Sequence, residues 1–417
     1  MKPEQLIQQL KNDLGNAKGI YGTLEERMLR SVWRTGTAAE RAAMTDMNDP
    51  MFWLDTDTGD RYSYDAVAGW VLFGAGGEGT VTYLVAASDA AASTITKADY
   101  TCDGTADDVQ IQAALDALDT WNGGVGGRVV LSEGTFNLAA AITMPNDTTL
   151  EGMGASTVLV IGASGDLISN SETHDNIARN LSITPVGVSH TGCIKFDGVT
   201  RGLIENIEIT GNGLWTTNSH IRVVNCAQVW VINCSSDTSG ADGIYYGSNS
   251  KGGLLNNRVS TAKSTGIYAT SGTENVYIGN AVDANVDTGN GGAFYAESET
   301  RSIFKGNITY ENGAEAGIRA YNCDYSIFEG NVSWKNDKEG IRVELCDNST
   351  FLNNICYENS QLTDNTYDNF EVKNNTNDCS FQGNLCRQGA QVNQPRYGFN
   401  ISAADCDNNL VANNDLY

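Results

Sequence analysis

Gly317-Ile-Arg-Ala-Tyr321, Ile327-Phe-Glu-Gly-Asn331-Val332, Gly340-Ile-Arg-Val-Glu344 and Phe351-Leu-Asn-Asn354-Ile355 follow one another, and the second two segments repeat the first two. Each unit opens on Gly, runs through an apolar strand, turns, and passes through a second strand to Asn and a third strand. Outward from here the Asn recurs every 23 to 30 residues, at Asn206, Asn233, Asn257, Asn280, Asn307, Asn331, Asn354, Asn384 and Asn413. A period of this size means one coil per repeat, stacked into a solenoid.

Within a repeat the period is that of strands. Ile341 and Val343 fall on one side, Arg342 and Glu344 on the other. Gly266-Ile-Tyr-Ala-Thr270 reads alike. No segment of the repeat carries the stripe of an amphipathic helix. Three short strands per coil predict an all-β fold, a parallel β-helix over residues 128–417. The Asn ladder is then structural rather than catalytic. One residue per coil must turn tightly, and Asn tolerates the left-handed conformation. Stacked amides can also bond from coil to coil. The same reading covers the apparent glycosylation sequons at Asn307 and Asn331.

Composition agrees. Among 417 residues, Gly is abundant (45) and Pro scarce (5), as many tight turns between buried strands require. Asp and Glu number 51 against 26 Lys and Arg, a net charge of −25. That sign argues against nucleic acid as a partner. No apolar run reaches the length of a membrane span, and Met1-Lys-Pro-Glu-Gln-Leu-Ile-Gln-Gln has no apolar signal region. The ten cysteines include Cys226, Cys323, Cys346 and Cys406 at the ends of first strands. Cys356 and Cys386 each lie two residues after a ladder Asn. Stacked columns of buried free thiols are expected. With no Cys-x-x-Cys and only His174, His190 and His220, no zinc site is expected.

The N-terminal third divides into three pieces. Residues 1–30 carry Ile7, Leu10, Leu14, Ala17, Tyr21, Leu24 and Met28 at 3-4 spacing, which fits a coiled coil or one amphipathic helix packed on its own chain. Residues 31–80 form a small head and linker. There Met51-Phe-Trp-Leu-Asp55 and Arg61-Tyr-Ser-Tyr64 flank a Gly-containing turn, a hairpin pattern. Asp55-x-Asp57-x-Gly59 lacks the downstream Glu of a calcium loop and reads as that turn. Gly74 to Gly79 reads as linker. Residues 81–127 lead into the coils. Asp107 or Asp108 is expected to cap a helix over 109–118 with the apolar stripe Ile111, Ala114, Leu115 and Leu118. Such a helix can cover the open end of the solenoid and its unpaired strand edge.

Asp103-Gly-Thr-Ala-Asp-Asp108, Gly134-Thr-Phe136 and Leu150-Glu-Gly-Met-Gly154 resemble the opening segment of the pectate-lyase-like superfamily of right-handed parallel β-helices. The Gly-Ile coils extend that resemblance to Tyr417. Gly36-Thr-Ala-Ala-Glu-Arg41 through Phe52-Trp-Leu-Asp-Thr-Asp-Thr-Gly59 and Trp70 resembles short modules of bacteriophage tail fibres and tailspikes. Together these imply a tailspike-like homotrimer on a virion, or an extracellular protein, that binds and often cleaves a surface polysaccharide. The catalytic motifs of two relatives are incomplete. Ala241-Asp242-Gly243-Ile244 is similar to the first polygalacturonase motif, but the next coil, Ser264-Thr-Gly-Ile267, lacks its carboxylates and Gly-His-Gly is missing. Val229-Trp-Val-Ile-Asn233 keeps the apolar frame of a calcium-dependent pectate lyase motif without its Asp and His. Trp230 is expected to pack.

The superfamily groove lies on the first strand of each coil, and its outward residues form two columns. One reads Lys195, Arg222, Tyr245, Tyr268, Phe294, Arg319, Arg342, Glu371, Asn400. The other reads Asp197, Val224, Gly247, Thr270, Ala296, Tyr321, Glu344, Lys373, Ser402. Asp242, Glu339 and Asp368 lie just before their strands. Tyr245, Tyr268, Tyr321 and Phe294 offer stacking surfaces for sugars, with Arg319 and Arg342 as further substrate-binding groups. Strand spacing puts the Cα atoms of Glu344 and Glu371 on the order of 8 Å apart, within reach of the ~6.5–9.5 Å carboxyl separation of an inverting glycosidase. Glu344, Glu371, Glu339 and Asp242 are the candidate acids and bases. The same residues can equally be cross-coil ion pairs on a solvated face. No cofactor or metal is expected; calcium stays open but is not indicated. Depolymerase, by hydrolysis or elimination, and non-catalytic glycan-binding adhesin both remain open, with a structural β-solenoid as a third class.

Overall fold

The computed structural model describes residues 81–416 apart from 122–125, 162–165, 187–191, 212–218, 287–290 and 314–315, together with four strands between residues 33 and 74. The heptad segment 4–30 and the linker from residue 75 lie outside the described residues. The chain divides into two units, Met1–Gly79 and Thr80–Tyr417.

In the first unit β1 (Trp33–Gly36), β2 (Phe52–Asp55), β3 (Arg61–Asp65) and β4 (Gly69–Gly74) form one sheet. β1 and β2 run parallel; β2 and β3 pair antiparallel with Trp53 opposite Tyr62, the hairpin that the turn residues indicate.

The second unit is a parallel β-solenoid. Its stack begins ahead of the coils read from the repeat. β5 (Thr82–Ala86) pairs with both β6 (Tyr100–Thr101) and β7 (Gly127–Leu131). The helix α1 (Asp108–Trp121) lies between them in sequence. Ile111, Ala114, Leu115 and Leu118 are all fully buried, so its apolar stripe faces the core. The side chains of Asp107 and Asp108 do a different job from that expected of a cap. Asp107 accepts N–H bonds from Gly104 and Asn137, and Asp108 accepts one from Ala139. They tie the helix start to the strand Gly134–Leu138.

One sheet of ten strands runs from Asp166–Ser171 to Phe399–Ile401 and carries the groove face. The other two strands of each coil stack beside it, for example Ile327–Glu329 on Thr350–Leu352 and Val332–Trp334 on Ile355–Tyr357. Tyr277, Phe304, Phe328, Phe351 and Phe381 stack through the core with centroids 4.3–5.0 Å apart. The first-strand residues Ile318, Ile341 and Val343 are likewise buried.

The Asn ladder is present, and it separates two positions that the sequence reading merges. The left-handed residue is Asn233, Asn256, Gly279, Gly306, Gly330, Asn353, Gly383 or Asn413, with φ between 52° and 66°. The laddered side chain belongs to the next residue: Asn257, Asn280, Asn307, Asn331, Asn354, Asn384 and Asn414. From Asn280 onward each Oδ1 accepts from the backbone N–H and the side-chain amide of the preceding coil, as Asn331 does from Asn307 at 2.9 and 3.0 Å. Asn206, Asn233 and Asn413 therefore stand at the turn position and outside the buried ladder, although Asn206 donates its amide to Asn180 Oδ1 at 3.2 Å on the surface. In the coil of Asn233 the ladder position is Cys234, whose N–H bonds to Asn257. A second ladder, Asn285, Asn312, Asn336, Asn359 and Asn369, runs beside the first.

All ten cysteines are free, and all but Cys406 are buried. Cys356 pairs in register with Cys386. Burial pushes thiols such as Cys226 and Cys234 up to about 12, so they act as small apolar groups.

One acid is enclosed in the core. Glu299 accepts from Ser302 Oγ at 2.7 Å and lies beside Tyr277 and Asn275. Gly272, one coil earlier, leaves it room: a Cβ there would sit 2.3 Å from Glu299 Oε1. Burial raises this carboxyl from 4.5 to about 7. The folded chain then holds a proton that the unfolded chain releases between about pH 4.5 and 7. Stability should decline as pH rises through that window and level off above it, by roughly 3 kcal/mol for this group. Denaturant unfolding at several pH values should show the slope, and Glu299→Gln should remove its part. An unchanged slope in Glu299→Gln would refute the assignment.

Candidate functional site

The outward columns of the ten-stranded sheet are set by register. Tyr245 pairs with Tyr268, Tyr268 with Tyr295, Tyr295 with Arg319, Arg319 with Arg342, and Arg342 with Glu371. The second column runs Gly247, Thr270, Glu297, Tyr321, Glu344, Lys373. Phe294 does not belong to the groove. It pairs with Ile267 and Ile318, is 1% exposed, and packs edge-on against Phe304 in the core. In this coil Ala293 precedes the strand where other coils have Gly, and Phe294 takes the place of Ile. The outward residues are therefore Tyr295 and Glu297 in place of Phe294 and Ala296.

The upper groove is aromatic. Tyr268 and Tyr295 stack at 5.0 Å with planes 2° apart, and Tyr245 meets Tyr268 edge-on at 5.4 Å. Arg222 lies over Tyr245 at 5.2 Å, and Arg319 lies against both Tyr295 (4.9 Å) and Tyr321 (5.2 Å). The Tyr268 hydroxyl donates to Glu297 Oε2. Burial raises the phenols of Tyr245, Tyr268 and Tyr295, so all three stay protonated at neutral pH. Tyr268, Tyr295, Glu297, Arg319 and Tyr321, with Asp242, line a concavity of about 480 Å³. Asp242 is half-buried and accepts from Thr265 N and Ser219 Oγ.

The lower groove is ionic. Glu344, 2% exposed, accepts from Arg319 Nε at 2.9 Å on Oε2, and from Arg342 Nη2 (2.9 Å) and Asn374 Nδ2 (3.0 Å) on Oε1. Two guanidiniums and an amide occupy both of its oxygens. That arrangement is an anchor for arginines and leaves Glu344 unsuited to proton transfer. Glu371 meets Lys373 Nζ at 2.9 Å and accepts from Ser402 Oγ. Asp368 holds Arg396 through two bonds. Glu339 differs. It is 6% exposed, its Oε2 has no hydrogen-bond partner, and burial raises its carboxyl from 4.5 to about 7. Arg342, Glu371 and Lys373 all act on it electrostatically. Glu339 and Glu371 lie on adjacent coils, one carboxyl proton-bearing near neutrality and the other beside a lysine.

Trp230 is buried. His220 is enclosed beside Ser236 Oγ, and burial lowers its imidazole to about 3. Asp147, His174 and Asp175 bring ligand atoms within 4.8 Å of one another, with Arg201 bonded twice to Asp175. No helix among the described residues is long and apolar enough to cross a membrane.

The family model described as right handed beta helix region matches residues 135–289 and 283–416. The chain belongs to the right-handed β-helix family. Among solved β-helix structures it is similar to the mannuronan C-5 epimerase AlgE6 A-module of Azotobacter vinelandii, with 18% identity and a TM-score of 0.55 over 76% of this chain and 93% of that one. The AlgE4 A-module of the same organism gives 17% and 0.53 over 76% and 95%. The enzymatically active domain of bacteriophage CBA120 tailspike protein 2 gives 12% and 0.51 over 94% of this chain and 59% of that one. At these identities the likeness is one of β-helix fold. No curated protein sequence is significantly similar to the chain.

Proposed function

We propose that this β-helix protein binds a surface or extracellular polysaccharide along its first-strand sheet and hydrolyses it, as a tailspike-like depolymerase on a virion or outside the cell. The observation that carries the reading is the split pair Glu339 and Glu371. Hydrolysis of a glycosidic bond needs one protonated acid at the leaving oxygen and one ionised carboxylate for water or for the sugar carbon. A buried carboxyl with a raised proton affinity next to a second carboxyl that is ion-paired to a lysine meets that need. Glu339, raised to about 7 by burial, is assigned as the acid. Glu371, beside Lys373, is assigned as the ionised partner. Tyr245, Tyr268 and Tyr295 supply the sugar-binding track, and the reaction draws on no cofactor.

A binding-only adhesin is the second reading. It is favoured by the way Glu344, Glu371 and Asp368 each meet a cation of their own. Incubation with a panel of capsular and exopolysaccharides separates the two. New reducing ends without an unsaturated, ultraviolet-absorbing product are expected. An unsaturated product would mean elimination, and binding without cleavage across the panel would establish the adhesin. The tailspike-like reading also makes the assembly a homotrimer, which light scattering on the full chain checks; a monomer would refute that part.

A further inference from the structure

The charge arrangement of the groove says which class of glycan it takes, provided that this face is the glycan groove. We infer that the ligand is an uncharged, hydroxyl-rich polysaccharide and not a polyuronate.

A polyuronate carries one carboxylate on each acidic sugar, and its site must present cations to it. Here the cations of the groove, apart from the exposed Arg222, are turned to acids of the protein itself. Arg319 directs Nε and Nη2 onto Glu344. Its residue is only 8% exposed, with Tyr295 and Tyr321 against the guanidinium. Arg342 donates to the other oxygen of Glu344. Lys373 sits on Glu371, Lys195 on Asp197, and Arg396 on Asp368. Arg222 lies over the Tyr245 ring.

The concavity instead presents carboxylates and phenols. Asp242 and Glu297 both line it, with Tyr268 in the coil between them and Tyr295 on the strand of Glu297. A polyanion threaded there would meet two acids, and the one guanidinium that lines the concavity, Arg319, is bonded to Glu344, inside a chain of net charge −25. Carboxylate oxygens accept from sugar hydroxyls, and ring faces cover the apolar face of a pyranose, so an uncharged chain meets complementary groups. Such a chain also has no acidic C–H beside a carboxylate. That agrees with hydrolysis rather than elimination.

The test uses the purified full chain and matched polymers in affinity electrophoresis. Polygalacturonate and alginate are each compared with their carboxyl-reduced forms, alongside uncharged glucans, galactans and mannans. At least one uncharged polymer should bind, at least ~10-fold more tightly than either polyuronate and with little dependence on salt. Tyr295→Ala should weaken that binding about tenfold or more, in line with the loss of one stacking platform. The double variant Asp242→Asn with Glu297→Gln should gain affinity for the polyuronates. A polyuronate that binds more tightly than its carboxyl-reduced form overturns the inference and leaves the groove reading standing. Binding of no polymer, or binding indifferent to Tyr295→Ala, overturns the groove reading and the inference with it.

Discussion

Glu339→Gln and Glu371→Gln are each expected to lower glycan turnover by at least ~100-fold while glycan binding and the fold persist. The two changes remove different things. At Glu339 the amide keeps the shape but holds no transferable proton. At Glu371 it removes the negative charge that would activate water or attack the sugar. The wild-type rate should decline as pH rises past about 7, because Glu339 then loses the proton it must donate. Glu344→Gln should behave differently. That carboxylate is buried between Arg319 and Arg342, so its loss leaves two enclosed cations short of a counter-charge, at a cost of about 3–5 kcal/mol in stability. Assays of turnover, binding and thermal midpoint on the three variants separate these effects. If Glu339→Gln and Glu371→Gln retain full activity, the cleavage centre assigned to them is wrong.

Asn331→Ala is expected to destabilise the solenoid by roughly 3–5 kcal/mol, whereas Gly330→Asn next to it should change stability by less than about 1 kcal/mol. The ladder carboxamide of Asn331 accepts the N–H and the amide of Asn307 and donates to Asn354 Oδ1 and Phe304 O. Truncation orphans buried groups on both neighbouring coils. Gly330 has φ +62° and open space where a Cβ would stand. Asn256 and Asn353 already hold the equivalent position at φ 54° and 52°. Chemical denaturation of both variants gives the comparison. Equal losses would show that the turn, not the ladder, carries the stability.

The coil period was readable because each repeat restates the same physical demands: a small residue before the first strand, alternating apolar residues within it, and Asn or Gly at the tight turn. Separating turn from ladder needed coordinates, since Asn satisfies both positions and they are adjacent. The second ladder had a signal that went unused: Asn285, Asn312, Asn336 and Asn359 each lie five residues after a ladder Asn. The error at Phe294 came from a coil that lacks the usual Gly-Ile opening, and with a period of two, a one-residue slip reverses every side chain. Aligning Phe294-Tyr-Ala-Glu297 with Ile267-Tyr-Ala-Thr270 through their shared Tyr-Ala would have brought Tyr295 and Glu297 into the groove. The difference between Glu344 and Glu339 could not be read at all. Both are glutamates on one strand, and only cross-coil geometry shows that one is saturated by arginines and the other is not.

The ladders also bear on how the solenoid would yield to a pull along its axis. Its hydrogen bonds run from coil to coil, so tension loads all bonds at one boundary together, and the boundary with the fewest breaks first. The early coils pair over long strands, such as Ile177–Pro185 on Thr200–Thr210, and the ladder position there is Ile207. Later strands on the two flanking sheets shorten to three residues, and from Asn257 onward the amides add their bonds to each boundary. Backbone and side chain thus trade places along the rod. In the early coils, rupture force should be insensitive to any single side chain, while in the later coils one missing amide would set the point of fracture.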